Sequence, residues 1–333
     1  MTQLQPDEIT GIVAGVSRLT TERYVFPDIG ERIAEVLDEA LARGRYHRAE
    51  DPETLGRLVT EDLRSVNGDG HLRLKFHPDP IPSEQEDGAV LAELARAADL
   101  SLGGVPRIER LEGGVALLEL APILFPLDMT GGSLNAALTL VARAEALILD
   151  LRACVGGHPY TTAHVCGHFF DEPTHLTTLH DREEGTEQQF WSPALVPGPR
   201  FGGSKPLYVL ISKATFSGGE ALAYDLQQRG RAVVVGEASG GGANPRRGFT
   251  LHPHLEATIP TARSVNPVSG TNWEGTGVIP DTETDPARAH EVAHRAALAD
   301  VARLGGDTPS AEEARRALRG RAQTPPAPSD TRL

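Results

Sequence analysis

The stretch PLYVLISKATFSGGEALAYDLQQRG, residues 206–230, constrains the fold more than any other. Its first part, Leu207 to Ile211, is a continuous apolar, β-branched run of the kind that forms a buried strand. After Gly219, Ala221, Leu222 and Leu226 recur at helical spacing, so a strand hands over to a helix at Ser217. A serine at such a joint projects from a tight turn, and the amides of Gly218 and Gly219, unpaired at the helix start, can face an oxyanion. The same residues also read as a plain helix cap, because serine is a preferred N-cap and Glu220 completes a capping box. Local sequence leaves both readings open.

Strand-like runs VALLEL, ALILDL, LYVLI, AVVVG and ATIPT alternate with helical segments near 132–144, 160–169 and 218–229, which predicts an α/β core over residues 107–304. Ahead of it, ITGIVAGVSRL, IGERIAEVLDEALARG and PETLGRLVTEDLRSV predict a helical bundle over residues 1–68. Residues 69–106 carry the strand-like HLRLKF, one helical run, AVLAELARAAD, and turn residues. Residues 305–333 predict a short helix and a flexible Pro-rich tail. With 333 residues and 39% hydrophobic content, one large core and a smaller satellite can be buried. No run approaches the ~20 apolar residues of a membrane span.

Lys and Arg number 32 against 46 Asp and Glu, and the net charge of -14 argues against nucleic acid and anionic membranes as partners. The N-terminus MTQLQPDEITG lacks the basic and apolar regions of a signal peptide, so a cytoplasmic protein is expected, with a trimmed exported form as the alternative. Of the two cysteines, Cys154 ends an apolar strand that raises a thiol pKa, which ranks it below Ser217 as a nucleophile. His164 and His168 are four apart, but Val165 stands where a zinc-protease helix has glutamate, so no metal site is expected. The segment from Glu237 to Asn244 lacks the lysine and hydroxyl of a phosphate loop, and no cofactor is expected.

Four further segments complete a constellation: GDGHLRL at 68–74, DLRACVGG at 150–157, VVGEASGGGANP at 234–245 and TNWEGTGVIPD at 271–281. His71 follows a Gly-rich turn and could serve as a base, Gly156 could bring a second backbone donor beside Ser217, and Glu274 could orient the base. The dull readings are a surface histidine, an ordinary turn and an exposed loop carboxylate. The glycines of the third segment, Gly241 and Gly242 among them, suit close passage of backbone beside substrate or beside the Ser217 turn, or else a flexible flap.

The ordered series ALILDLRACVGG, TFSGGE, VVGEASGGG and WEGTGVIPD resembles the tail-specific, or C-terminal-processing, serine peptidases over most of the chain. No lysine follows Lys213, which excludes the serine-lysine dyad of one branch. The tricorn-like branch uses serine, histidine and glutamate, and its pattern falls on Ser217, His71 and Glu274, with Gly218 and Gly156 as the implied oxyanion donors. Gly241, Gly242 and Trp273 are the implied substrate contacts. The fold implied is the spiral ββα core shared with ClpP and crotonase, beside an N-terminal helical domain. Only roughly 40 residues separate His71 from VALLEL, fewer than a PDZ domain needs, so the domain plan looks like the modules of interphotoreceptor retinoid-binding protein. The resemblance implies a peptidase acting on peptides or unfolded protein through an acyl-enzyme. The alternative it implies is a non-catalytic binder of a hydrophobic small ligand in the cleft between helical domain and core. Two departures stand out: Gly70 occupies the place of a relay serine, and Cys154 that of a common asparagine.

Overall fold

A computed structural model describes residues 4–81 and 87–322, so the Pro-rich tail expected beyond the last helix lies outside the described residues. Three helices open the chain, α1 (Pro6–Arg23), α2 (Pro27–Ala42) and α3 (Pro52–Arg64). Each has proline in its first turn, where the missing N–H costs nothing. The Asp51 carboxylate caps α3 by accepting from the Thr54 amide at 2.8 Å. Then come β1 (Arg73–Phe76), α4 (Asp87–Leu100), β2 (Arg107–Arg110), β3 (Val115–Glu119), α5 (Leu127–Val141), β4 (Ala146–Asp150) and α6 (Pro159–Gly167). A hairpin, β5 (His175–Asp181) and β6 (Thr186–Trp191), precedes β7 (Leu207–Ile211), α7 (Gly218–Gln228) and β8 (Val233–Gly236). The chain continues through β9 (Arg246–His252), β10 (Leu255–Pro260), β11 (Ala262–Val265), β12 (Thr282–Glu283), α8 (Pro286–Leu304) and α9 (Pro309–Ala322).

The central sheet runs β12-β8-β7-β4-β3-β2, parallel except for β2 at one edge. Helices cover both faces, which is why β4 and β7 are apolar throughout. Leu147, Leu149, Val209 and Ile211 point into the core under α5, α6 and α7, whereas Ala146, Ile148, Tyr208 and Leu210 point into the one under α8 and α9. This is an α/β core with an N-terminal helical domain.

The expectation for ATIPT needs correction. That run lies in β10, outside the central sheet, in an antiparallel sheet of order β1-β10-β9. Leu255, Ala257 and Ile259 of β10 join Leu72 and Leu74 in packing on Ile9, Val13, Tyr24 and Leu55 of the helical domain. A short β-branched run announces a strand but not its partner, and here its apolar face is taken by the N-terminal helices. Residues 69–76 and 246–260 therefore fasten the helical domain to the core, and the turn between α3 and β1 carries His71.

Candidate active site

β7 delivers the chain to a turn pinned on all sides. The Ser212 amide donates to Thr215 Oγ1 at 3.0 Å, the Thr215 hydroxyl donates to the Leu151 carbonyl at 2.9 Å, and the Phe216 amide donates to the Cys154 carbonyl at 3.0 Å. Ser217 then adopts φ 49°, ψ -117°, one of two positive-φ non-glycine residues among those described. Such a conformation costs about 1–3 kcal/mol and persists only when its surroundings over-determine it. The glycines after it are set by close approach: a Cβ on Gly218 would lie 2.7 Å from Gly157 N, and one on Gly219 would lie 2.6 Å from the Cys154 carbonyl oxygen. The serine's joint is thereby pressed onto the turn that ends β4.

Glu220 does more than cap. It is fully buried, and its carboxylate accepts from the Ser217 amide at 2.8 Å, the Ser239 hydroxyl at 2.5 Å, and the Gly241 and Gly242 amides at 2.7 and 2.9 Å. Burial pushes its pKa up, and these four donors oppose the rise. One carboxylate thus ties the serine turn to the glycine-rich loop. The amides of Gly241 and Gly242 donate to Glu220, so of the two readings of this loop the contact seen is the close passage beside the Ser217 turn.

Gly242 in turn packs on the ring of Phe216 and on His71: a Cβ there would meet Phe216 Cζ at 2.2 Å and His71 Cε1 at 2.7 Å. The His71 and Phe216 rings lie with centroids 4.7 Å apart. His71 is buried, its carbonyl accepts from the Thr258 hydroxyl at 2.6 Å, and its amide donates to Asp69 Oδ1 at 2.8 Å. Asp69 is buried as well. Its other oxygen accepts from the Tyr24 hydroxyl at 2.9 Å, which itself accepts from Asn67 Nδ2 at 2.7 Å. The helical domain thus helps to hold the histidine turn.

Donor atoms of Asp69, His71 and Glu274 fall within 4.8 Å of one another, and His71 Nδ1 stands 4.0 Å from Asp69 Oδ1. Glu274 is fixed through Oε2, which accepts from the Ala243 and Asn244 amides at 2.7 and 3.0 Å. Glu274 Oε1 and His71 Nδ1 are buried and hydrogen-bond to no group among the described residues. Both Asp69 oxygens accept hydrogen bonds, and the cluster sets an imidazole among carboxyl groups with which it can share a proton. Burial, followed by the nearby Asp69 charge, pushes Glu274 up to about 8. Burial, followed by the guanidinium groups of Arg246, Arg73 and Arg64, pushes His71 down to about 4, so the imidazole rests neutral.

Two cavities meet at Ser217, His71 and Gly157. One, of about 410 Å³, is walled by apolar side chains including Leu176, Leu179, Phe190 and Trp273. The Trp273 indole N–H donates to the Gly242 carbonyl at 3.0 Å. The other, of about 620 Å³, is lined by Arg73, Lys75, Lys213 and Arg246, with no carboxylate among its described lining residues. Gly156 lies beside the serine, at a distance where an added Cβ would stand 3.7 Å from Ser217 Cβ. A side chain at position 70, where the resemblance implies a relay serine, would press on the Phe216 ring at 3.2 Å. Burial pushes the Cys154 thiol up to about 11, leaving it inert beside the serine. His164 Nε2 lies 2.7 Å from Asn135 Oδ1, away from this site.

Sequence reasoning missed two residues here. Asp69 was passed over although a short acid two residues before a turn amide is a standard backbone acceptor. Glu220 was read only as a helix cap, since its other three donors arrive from residues 239–242 and leave no local trace.

A pinned, strained serine thus stands at a parallel strand–helix joint, and a buried histidine beside a carboxylate cluster lines the same two cavities. A family model described as peptidase family S41 matches residues 118–284, about half the chain, and another, the N-terminal domain of that family in eukaryotic IRBP, matches residues 5–99. The chain belongs to peptidase family S41. Solved structures share the fold at low identity. Mature CPAF complexed with lactacystin aligns with TM-score 0.60 and 12% identity, covering 88% of this chain and 99% of that one. A lipoprotein from Streptococcus agalactiae aligns with TM-score 0.56 and 16% identity, covering 90% and 99%. The tricorn protease aligns with TM-score 0.58 and 13% identity, covering 90% of this chain and 37% of that much longer one.

Proposed function

We propose that this chain is a serine-type peptidase in which Ser217 is the nucleophile, His71 the base and Glu274 the acid partner of the base. The observation that carries the reading is the strained Ser217 sharing both cavities with His71, whose second ring nitrogen turns toward a buried carboxylate cluster. His71 takes the hydroxyl proton as Ser217 Oγ attacks the peptide carbonyl, and the Glu274 carboxylate stabilises the imidazolium that results. Amides of Gly218, first in α7 and without an intrahelical acceptor, and of the turn at Gly156 hold the oxyanion. The imidazolium returns its proton to the leaving amine as the C–N bond breaks. Water, deprotonated by the same histidine, then releases the acyl group.

Asp69 joins this arrangement as a positioning residue, since it fixes the His71 backbone and places a second negative group near Nδ1. The cationic cavity suits the carboxylate of a substrate chain end, which favours carboxyl-terminal processing over cleavage far inside a chain. The reading is tested by turnover of a peptide panel. Ser217→Ala abolishes hydrolysis, and His71→Ala lowers kcat/KM by about 10²–10⁴-fold, the usual share of a general base. Undiminished turnover in either variant defeats the assignment.

A further inference from the structure

The mechanism leaves one buried acid of the apolar cavity unused. Asp225 is 1% exposed and lines the apolar cavity that opens at the serine. Its Oδ1 accepts from Asn266 Nδ2 at 3.1 Å, and that amide also donates to the Leu176 carbonyl while Asn266 Oδ1 accepts from the Val268 amide, so Asn266 is fully engaged. Among the described residues no cation lies within salt-bridge distance of Asp225, and the Arg229 guanidinium acts on it through its field. A carboxylate that lines a cavity with Leu176, Ala221 and Trp273 and has one side-chain hydrogen-bond donor among the described residues is poorly compensated on its own.

We propose that Asp225 is the specificity determinant of this cavity, and that the cavity takes a long substrate side chain ending in a cationic head, lysine or arginine, next to the scissile bond. The proposal rests on the reading of Ser217 as the nucleophile. Ser217 caps α7 and Asp225 is its eighth residue, so their Cα atoms stand about 12 Å apart along the helix axis. The aspartate leans back toward the N-terminus. The reacting carbonyl sits about 3 Å from the serine oxygen. What is left between them is a span that an extended lysine or arginine crosses and a leucine does not. The walls allow this division of labour: Leu179, Phe190 and Trp273 cover the methylene stem, Asp225 is the one carboxylate among the described lining residues, and the one guanidinium, Arg246, belongs to the part shared with the neighbouring cavity. A chain with a net charge of -14 further favours the approach of cationic substrates.

The test uses the full chain as Ser217→Ala, so that binding is read without turnover. Two blocked pentapeptides, four alanines around a central lysine or a central norleucine, are titrated by calorimetry. Norleucine keeps the stem and removes the charge. The lysine peptide is expected to bind at least tenfold more tightly, and the ratio to collapse to within twofold in Ser217→Ala/Asp225→Asn, which keeps the side-chain shape. Equal binding, tighter norleucine binding, no binding of either peptide, or a ratio indifferent to Asp225→Asn each overturns the proposal. Should the double variant fail to fold, the lysine to norleucine ratio in Ser217→Ala alone decides. Fluorophosphonate labelling of the unmodified chain separately reports whether Ser217 is nucleophilic, so failure of the specificity and failure of the mechanism are distinguished.

Discussion

Glu220→Gln tests how the site is held together. The carboxylate receives four hydrogen bonds at 2.5–2.9 Å, two on each oxygen. A glutamine supplies one acceptor oxygen, and its amide nitrogen must face two donors. The best compromise keeps the oxygen toward Ser217 and Gly242 and turns the amide toward Ser239, whose hydroxyl can accept, leaving the Gly241 N–H without a partner. An orphaned buried amide costs about 1–3 kcal/mol, and the surviving bonds lose their charge assistance, so the variant is expected to lose about 2–4 kcal/mol of stability. Urea denaturation measures this as a lower midpoint at unchanged slope. Because Gly242 rests on both Phe216 and His71, slackening the loop also displaces the base. Fluorophosphonate labelling at low temperature, where the variant is still folded, should therefore slow at least tenfold. A stability change under about 0.5 kcal/mol with full labelling would refute the reasoning, since it would mean that the carboxyl already carries a proton and that the four donors are not held by an anion.

A rise in kcat/KM with pH should centre near 8, where buried Glu274 loses its proton and can stabilise the imidazolium; activity is lost as pH falls through that value. In Glu274→Gln the limb disappears and leaves a low plateau, whereas a limb near 6.5 that survives the substitution would assign the titration elsewhere. Gly242→Ala places a methyl 2.2 Å from Phe216 Cζ and 2.7 Å from His71 Cε1. It should cost about 1–3 kcal/mol by overpacking and slow labelling of Ser217 by more than that stability loss explains. Wild-type labelling in Gly242→Ala contradicts the contact.

Much of the core was legible in the sequence because each of its parts leaves a local trace. The doubly covered strands β3, β4 and β7 are apolar without alternation, and the strand–helix joint at Ser217 shows as a change of period followed by two glycines. What local pattern does not carry is partnership. ATIPT reads as a strand, but the residues it pairs with lie some 180 positions upstream in β1, and its companions are helices of the first 64 residues. The same limit hid Glu220, three of whose donors come from another loop, and Asp69, whose hydroxyl partner is Tyr24 at the end of α1. Asp225 shows the converse. Its place in a helical repeat, between Tyr224 and Leu226, looks like that of a solvated helix residue, whereas Thr162 and Ala163 of α6 and Leu176, Leu179 and Phe190 of the β5–β6 hairpin line the cavity with it.

The central claim is that Ser217 is an activated nucleophile, and covalent labelling addresses it most directly. The chain is treated with a fluorophosphonate, digested, and the modified peptide located by mass spectrometry. A single adduct is expected on Ser217 in the peptide that begins after Lys213, formed much more slowly in His71→Ala and absent in Ser217→Ala. An adduct elsewhere, equal labelling in His71→Ala, or a properly folded chain that takes no label would contradict it.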